Sequence, residues 1–111
     1  MRLESVSFSQ MKQGIKTSEL RLNDEKRQRL QVGDTIVFIN TADPQETLHT
    51  TVTYLRHYPD FTSLYEGVRA DYPAWDEPSF IHGMYRHYTP EEEQPYGALE
   101  IGILITPTDA H

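Results

Sequence analysis

Cysteine is absent from the 111-residue sequence, and so is any long apolar run. The first absence excludes disulfides, thiolate nucleophiles and zinc sites built on cysteine. The second excludes a membrane-spanning helix, which needs roughly 20 apolar residues. Residues 1–5 also lack the apolar stretch of a secretory signal. We therefore expect a cytoplasmic protein with no membrane partner.

Apolar residues are scarce, at 37% of the chain with a mean hydropathy of -0.63. Seven Tyr, four Phe and one Trp supply large apolar surfaces that compensate. A chain of this length is long enough for one core and too short for two. We expect a single folded domain over residues 1–111. The five histidines follow no metal-ligand spacing, and we expect neither a metal nor a cofactor.

The net charge of -7 argues against tight, nonspecific binding to long nucleic acid, which depends on many Lys and Arg. The charge is uneven, however. Residues 1–31 contain seven basic and four acidic residues, whereas the rest of the chain contains three basic and thirteen acidic ones. An anionic ligand should therefore meet the N-terminal third. The alternative for residues 26–29 is an ordinary solvated helix face.

Hydrophobic periodicity and turn residues predict an alternation of short helices with a few strands. Helices are predicted at 6–13, 25–30, 61–67, 80–88 and directly after Thr89, and strands at 17–22, 35–39, 47–58 and 96–105. Residues 71–79, with two prolines, are predicted to form an irregular loop. The strands at 35–39 and 47–58 are expected to pair as an antiparallel hairpin. The order favours an α+β domain around a small curved or barrel-like sheet.

Four segments in one order carry a family resemblance. They are Gly14-x-Lys16-Thr17-x-Glu19-x-Arg21, Val32-Gly33-Asp34-x-Ile36-x-Phe38, Tyr58-Pro59-x-Phe61-x-x-Leu64-Tyr65 and Tyr96-Gly97-Ala98-Leu99-x-Ile101. Together they resemble the ASCH domain of the PUA-like superfamily, in its small stand-alone prokaryotic form. The resemblance implies a small antiparallel or mixed β-barrel with short peripheral helices and a cleft beside the first strand. It also implies RNA or nucleotide binding.

The candidate ligand-binding residues of the first segment are Lys16, Thr17, Glu19 and Arg21. Arginine presents a planar fork of donors suited to phosphate or a base edge, and lysine presents a compact cation. A glutamate accepts from an exocyclic amine or orients the arginine. In a strand, Glu19 and Arg21 fall on one face. The alternative is an ordinary surface ion pair of little energetic value.

A hydrolase is the alternative function. Some small bacterial ASCH proteins resemble amidohydrolases that act on acetylcytidine, and ribonuclease activity has been ascribed to relatives. The hydrolytic members carry a Thr nucleophile three residues after the lysine, where this chain has Glu19. If the protein is an enzyme, Lys16 and Glu19 are the catalytic candidates, with Glu19 activating a water. The substitution favours recognition over catalysis.

Two aromatic residues are candidates for the ligand pocket, because bases stack on exposed rings. Tyr96 is a candidate through its position in the resemblance. Trp75 lies in a polar loop between Pro73 and Pro78, where a tryptophan forms either a pocket wall or a plug at the core edge. A further alternative is a protein-interaction module that uses the acidic residues 91–93. The oligomeric state is not indicated.

Overall fold

The computed structural model of this protein describes residues 1–106. The strands in this part of the chain are β1 (Arg2–Leu3), β2 (Ser18–Leu22), β3 (Thr35–Asn40), β4 (Asp43–Tyr58) and β5 (Ala98–Ile105). The α-helices are α1 (Ser5–Lys12), α2 (Phe61–Val68), α3 (Glu77–Tyr85) and α4 (Pro90–Tyr96), and a short 3-10 helix covers Arg27–Arg29. Residues 107–111 of the predicted domain lie outside the described residues.

The five strands form one mixed sheet in the order β1-β3-β4-β5-β2. β1 pairs with β3 in parallel, with Arg2 opposite Ile39. β3 pairs with β4 in antiparallel orientation, with Thr35 opposite Thr51, which confirms the predicted hairpin. Together with the four short helices, this sheet confirms the predicted α+β, PUA-like fold.

The β3–β4 hairpin is tighter than the sequence predicts. β4 begins at Asp43 rather than at Thr47, and Asp43 already pairs with Asn40. The register shifts between Ile39 and Asn40, since Ile39 faces Thr47. The bulge takes up the three residues between Asp43 and Thr47, which therefore belong to β4 although the predicted strand began only at Thr47.

The helix boundaries depend on capping residues. Asp76 accepts a hydrogen bond from the Ser79 backbone N–H at 2.8 Å, and Pro78 lies in the first turn. α3 therefore begins at Glu77. The predicted loop over 71–79 ends too late, and the predicted helix over 80–88 begins too late, so both predictions were wrong at this boundary. The helix predicted over 25–30 shortens to the 3-10 helix. α4 begins after a capping box between Thr89 and Glu92, which confirms the prediction of a cap at Thr89.

The chain divides into two compact units. The first comprises residues 1–19, 31–55 and the described residues from 101 onward, and the second comprises residues 20–30 and 56–100. Buried apolar side chains of the first unit include Leu3, Phe8, Met11, Ile36, Phe38, Val52, Ile101 and Ile103. The core cluster of the second consists of Leu20, Leu22, Phe61, Leu64, Tyr65, Val68, Phe80, Met84 and Ala98. The single domain over 1–111 stays a prediction.

Candidate functional site

The junction between α1 and β2 holds the backbone of Lys16. The chain leaves α1 through Gly14, whose φ of 80° is in the left-handed region that glycine adopts without strain. The backbone N–H groups of Ile15 and Lys16 both donate to the Gln10 carbonyl, at 2.9 and 3.1 Å. Two hydrogen bonds to one carbonyl of α1 therefore fix the backbone that carries Lys16.

Lys16 and Glu19 form an ion pair. The Lys16 Nζ atom lies 3.3 Å from Glu19 Oε1, and the two side chains are only 11% and 7% exposed. Removing two such charges from water costs roughly several kcal/mol, and the attraction between them must offset that cost. This pair therefore differs from the exposed ion pair of the first unit, between Lys12 and Glu46, whose side chains are 60% and 37% exposed.

The residues between the two charges are held differently. Thr17 is exposed, and its carbonyl accepts from the Ile103 N–H at 3.1 Å, which anchors the chain just before β2. Ser18 is buried. The Thr17 side chain is thus the solvent-facing hydroxyl of this segment.

The remaining candidates belong to the second unit. Arg21 follows Glu19 by two residues in β2 and is half-buried. Tyr96, in the last position of α4, is also half-buried, and its hydroxyl donates to Glu25 at 3.3 Å. The negative charge of Glu25 is the main reason that the pKa of Tyr96 is raised.

Trp75 stacks on another ring. Its indole lies 4.2 Å from the Tyr72 ring at an interplanar angle of 8°, and 5.5 Å from Phe80. The Trp75 backbone carbonyl accepts from the Tyr65 hydroxyl at 3.2 Å. The side chain stays 37% exposed. The loop tryptophan thus packs at the edge of the second unit's aromatic residues and still presents part of its ring to solvent.

Sequence reasoning missed a second buried carboxylate. Glu100, in the middle of β5, is fully buried, and Tyr58 donates to its Oε1 atom at 3.0 Å. Arg56, whose side chain is 58% exposed, places its guanidinium 3.8 Å from the same oxygen. Burial and the bond to Glu100 raise the pKa of Tyr58. The available signal was an acid in an otherwise apolar strand.

Residues 1–106 contain neither a metal-binding cluster nor a membrane-spanning helix. No group of three or more His, Asp or Glu in this range is arranged to hold a metal ion. None of the described helices is long and apolar enough to cross a membrane.

Comparison with known proteins identifies the family. The sequence profile of the ASCH domain matches residues 1–107. The chain belongs to the ASCH domain family. No curated protein matches this ASCH domain.

Solved structures give the same fold. The crystal structure of the hypothetical protein PH0355 matches this ASCH domain with a TM-score of 0.74 and 26% identity, over 96% of this chain and 100% of the other. The solution structure of protein PF0455 from Pyrococcus furiosus matches with a TM-score of 0.66 and 27% identity, over 97% and 100% of the two chains. The likeness therefore extends over nearly the whole of each protein.

Proposed function

We propose that this ASCH domain binds RNA or a nucleotide-sized ligand through the segment from Lys16 to Arg21. The observation that carries the proposal is the ion pair between Lys16 and Glu19, which is almost completely withdrawn from solvent. It lies at the start of β2, beside the exposed hydroxyl of Thr17. The segment also belongs to the basic third of the sequence, where an anionic ligand is expected.

Stability alone is a weak reason to bury such a pair. Replacing a buried ion pair with well-packed apolar residues is often neutral or stabilising, by about 1–4 kcal/mol. The charges of Lys16 and Glu19 are thus better explained by a ligand that both of them contact. Functional sites commonly retain charged groups in surroundings that disfavour them.

Each residue has a role that follows from its chemistry. The Lys16 ammonium carries three donors, and an ion pair with one carboxylate leaves donors for a phosphate or a carbonyl of a base. Glu19 can accept from an exocyclic amine, and the planar guanidinium of Arg21 matches phosphate or a base edge. Thr17 supplies a hydroxyl that both donates and accepts. The aromatic candidates, Tyr96 and Trp75, are proposed to stack on a base.

Binding of single-stranded RNA and of nucleoside monophosphates to charge variants tests the proposal. Arg21→Glu should abolish binding, since it replaces the hydrogen-bond donors of the guanidinium with a carboxylate that repels a phosphate. The double variant Lys16→Met/Glu19→Leu should also lose binding while its melting temperature stays close to that of the wild type. The matched control is Lys26→Met, which removes an exposed cation from the same basic third.

Two outcomes would count against the site. One is binding that survives both Arg21→Glu and the Lys16/Glu19 double variant. The other is a loss of binding in Lys26→Met as large as in the double variant, which would indicate general attraction to basic residues. A melting temperature measured on every variant separates loss of binding from loss of folding.

A hydrolase is the second candidate, favoured by the position of Lys16 next to the Glu19 carboxylate. In that function Glu19 would take a proton from a water as the water attacks the acetyl carbonyl of acetylcytidine. Collapse of the tetrahedral intermediate would then break the amide C–N bond, and the departing amine of cytidine would take up the proton as acetate is released. Incubation of the wild type with acetylcytidine and with single-stranded RNA, beside Lys16→Ala, tests it. Absence of turnover of both substrates at high protein concentration would exclude this candidate.

A further inference from the structure

A polar cleft lies in the first unit, against α1 and the β3–β4 hairpin, and it includes neither Lys16 nor Glu19. Its volume is about 550 Å³. Six polar residues line it, namely Ser5, Ser9, Lys12, Gln13, Asn40 and Glu46, and the buried ring of Phe8 completes the lining. The cleft thus combines two hydroxyls, two amides, one ammonium and one carboxylate.

α1 presents a mostly polar face to this cleft. Ser5, Phe8, Ser9 and Lys12 recur at the spacing of one face of an α-helix, and the three polar residues among them are exposed. Of these four, only Phe8 is apolar and buried. The polar side chains on this face therefore border open space instead of a packed core.

The carboxylate of Glu46 is held in one orientation. Asn40, which is 6% exposed, donates from Nδ2 to Glu46 Oε1 at 3.0 Å and accepts from the Ala42 N–H at 3.0 Å. Lys12 Nζ donates to the other oxygen of Glu46 at 3.1 Å. These two side-chain hydrogen bonds, from Asn40 first and Lys12 second, lower the pKa of Glu46.

Free hydrogen-bonding capacity remains on the groups in the cleft. Each carboxylate oxygen of Glu46 has a second lone-pair direction, and the Lys12 ammonium has two further donors. Gln13 donates from Nε2 to the Ser9 hydroxyl at 3.2 Å, which leaves its amide oxygen as an acceptor. Because Lys12 and Glu46 cancel in charge, the cleft favours a neutral, hydrogen-bonding ligand over an anion.

We propose that this cleft binds the vicinal diol of a furanose ring, with the two hydroxyls donating to Glu46 and accepting from Lys12. A fixed carboxylate is suited to two adjacent hydroxyls, since it accepts from both at once. Its orientation by the buried Asn40 reduces the ordering that binding requires. The site is independent of the proposed ligand segment at Lys16.

An NMR titration of the ¹⁵N-labelled protein tests the proposal. The probes are methyl β-D-ribofuranoside and its 2-deoxy analogue, which lacks the vicinal diol. We expect millimolar ribofuranoside to shift the backbone amides of Ser9, Lys12, Gln13 and Glu46, and the deoxy analogue to leave them in place. Glu46→Gln should weaken binding about tenfold or more, because it removes a charge-assisted acceptor.

The matched control is Glu66→Gln, which makes the same change in the exposed ion pair with Arg69 and should bind like the wild type. A second variant, Ser9→Ala, should weaken binding without altering the ion pair, and it keeps the test valid if Glu46→Gln fails to fold. Equal shifts from both probes, no shift at the cleft amides, or full binding by Glu46→Gln and Ser9→Ala would each overturn the proposal.

Discussion

Two glutamates are buried within the described residues, and they have different partners. Glu19, at 5% exposure, is paired with the ammonium of Lys16, which is itself nearly withdrawn from solvent. Glu100, at 0%, accepts from the neutral hydroxyl of Tyr58, and the cation near it, Arg56, is mostly exposed. One carboxylate thus has a nearly buried charge beside it, and the other has a half-buried phenol.

The difference separates a candidate site from a structural one. A phenol that donates to a carboxylate satisfies that acceptor and brings no second charge into the interior. A buried ammonium adds its own desolvation cost. The Lys16–Glu19 pair therefore needs a functional explanation more than the Tyr58–Glu100 bond does. Four predictions test this comparison.

The largest expected effect is on the pair itself. Lys16→Met removes the nearly buried ammonium from beside the buried Glu19 carboxylate and should lower the free energy of unfolding by about 3 kcal/mol. Lys16→Met/Glu19→Leu should restore most of that loss, since it removes the buried carboxylate as well. Urea unfolding of the wild type and both variants measures this. A double variant no more stable than Lys16→Met would indicate that the pair stabilises the fold.

The next effect concerns the close approach of α2 to Tyr58. A Cβ atom at Gly67 would lie 2.3 Å from the Tyr58 hydroxyl oxygen, so Gly67→Ala must displace the phenol that donates to Glu100. We expect a loss of about 2 kcal/mol from this overpacking. Gly83→Ala in α3 is the matched control, because its Cβ would meet open space, and it should gain about 0.5–1 kcal/mol. Similar effects of both substitutions on urea unfolding would contradict this packing.

Removing only the hydroxyl should have a smaller effect. Tyr58→Phe deletes the donor to Glu100 and should lower the free energy of unfolding by about 1 kcal/mol, at the low end of the range for a buried acceptor that loses one partner. Tyr96→Phe is the control, since its hydroxyl donates to the exposed Glu25. The thermal unfolding midpoints should therefore fall for the first variant and stay near the wild type for the second. A larger fall of the midpoint in Tyr96→Phe than in Tyr58→Phe would show that the Tyr58–Glu100 hydrogen bond does not stabilise the fold.

The smallest effect is expected at an exposed phenol–carboxylate pair, between Tyr85 and Glu93. The hydrogen bond to Glu93, followed by burial, raises the pKa of Tyr85 from 10.0 to about 12. Because the pKa of Tyr85 is higher in the folded state than in the unfolded state, the hydrogen bond contributes fully to the free energy of unfolding below pH 10. That contribution is lost as the pH rises toward 12. The stability difference between wild type and Tyr85→Phe should therefore shrink over that interval. A difference that stays constant up to pH 12 would rule out this coupling.

Much of the fold was predictable because local signals agree with it. The glycine after α1, the cap at Thr89 and the β-branched run of β3 are each readable without knowledge of tertiary contacts. β1 was not predicted, because two residues carry no periodicity and its pairing with β3 is a long-range contact. The early start of α3 depends on Asp76, whose cap competes with a proline-rich loop signal.

The sequence predicted which residues make up the candidate site, but not how deeply they are buried. The spacing of Lys16 and Glu19 permits an ion pair, but strand alternation places Ser18 and Glu19 on opposite faces of β2. The structure buries both, along with Leu20. Packing against both faces of a strand is a tertiary property. The same limitation applies to Glu100. An acidic residue in an apolar strand indicates an unusual environment, but the sequence does not show that Tyr58 is its partner.

The Gln10 carbonyl, which receives the N–H groups of both Ile15 and Lys16, has a consequence for divergence within the family. The Ile15 side chain is 64% exposed, so its identity is free to drift between homologues. The number of residues between Gln10 and Lys16 is not free, because an insertion or deletion would break one or both of these bonds and displace Lys16. Related proteins with the same ligand should therefore keep this loop at one length while varying its side chains.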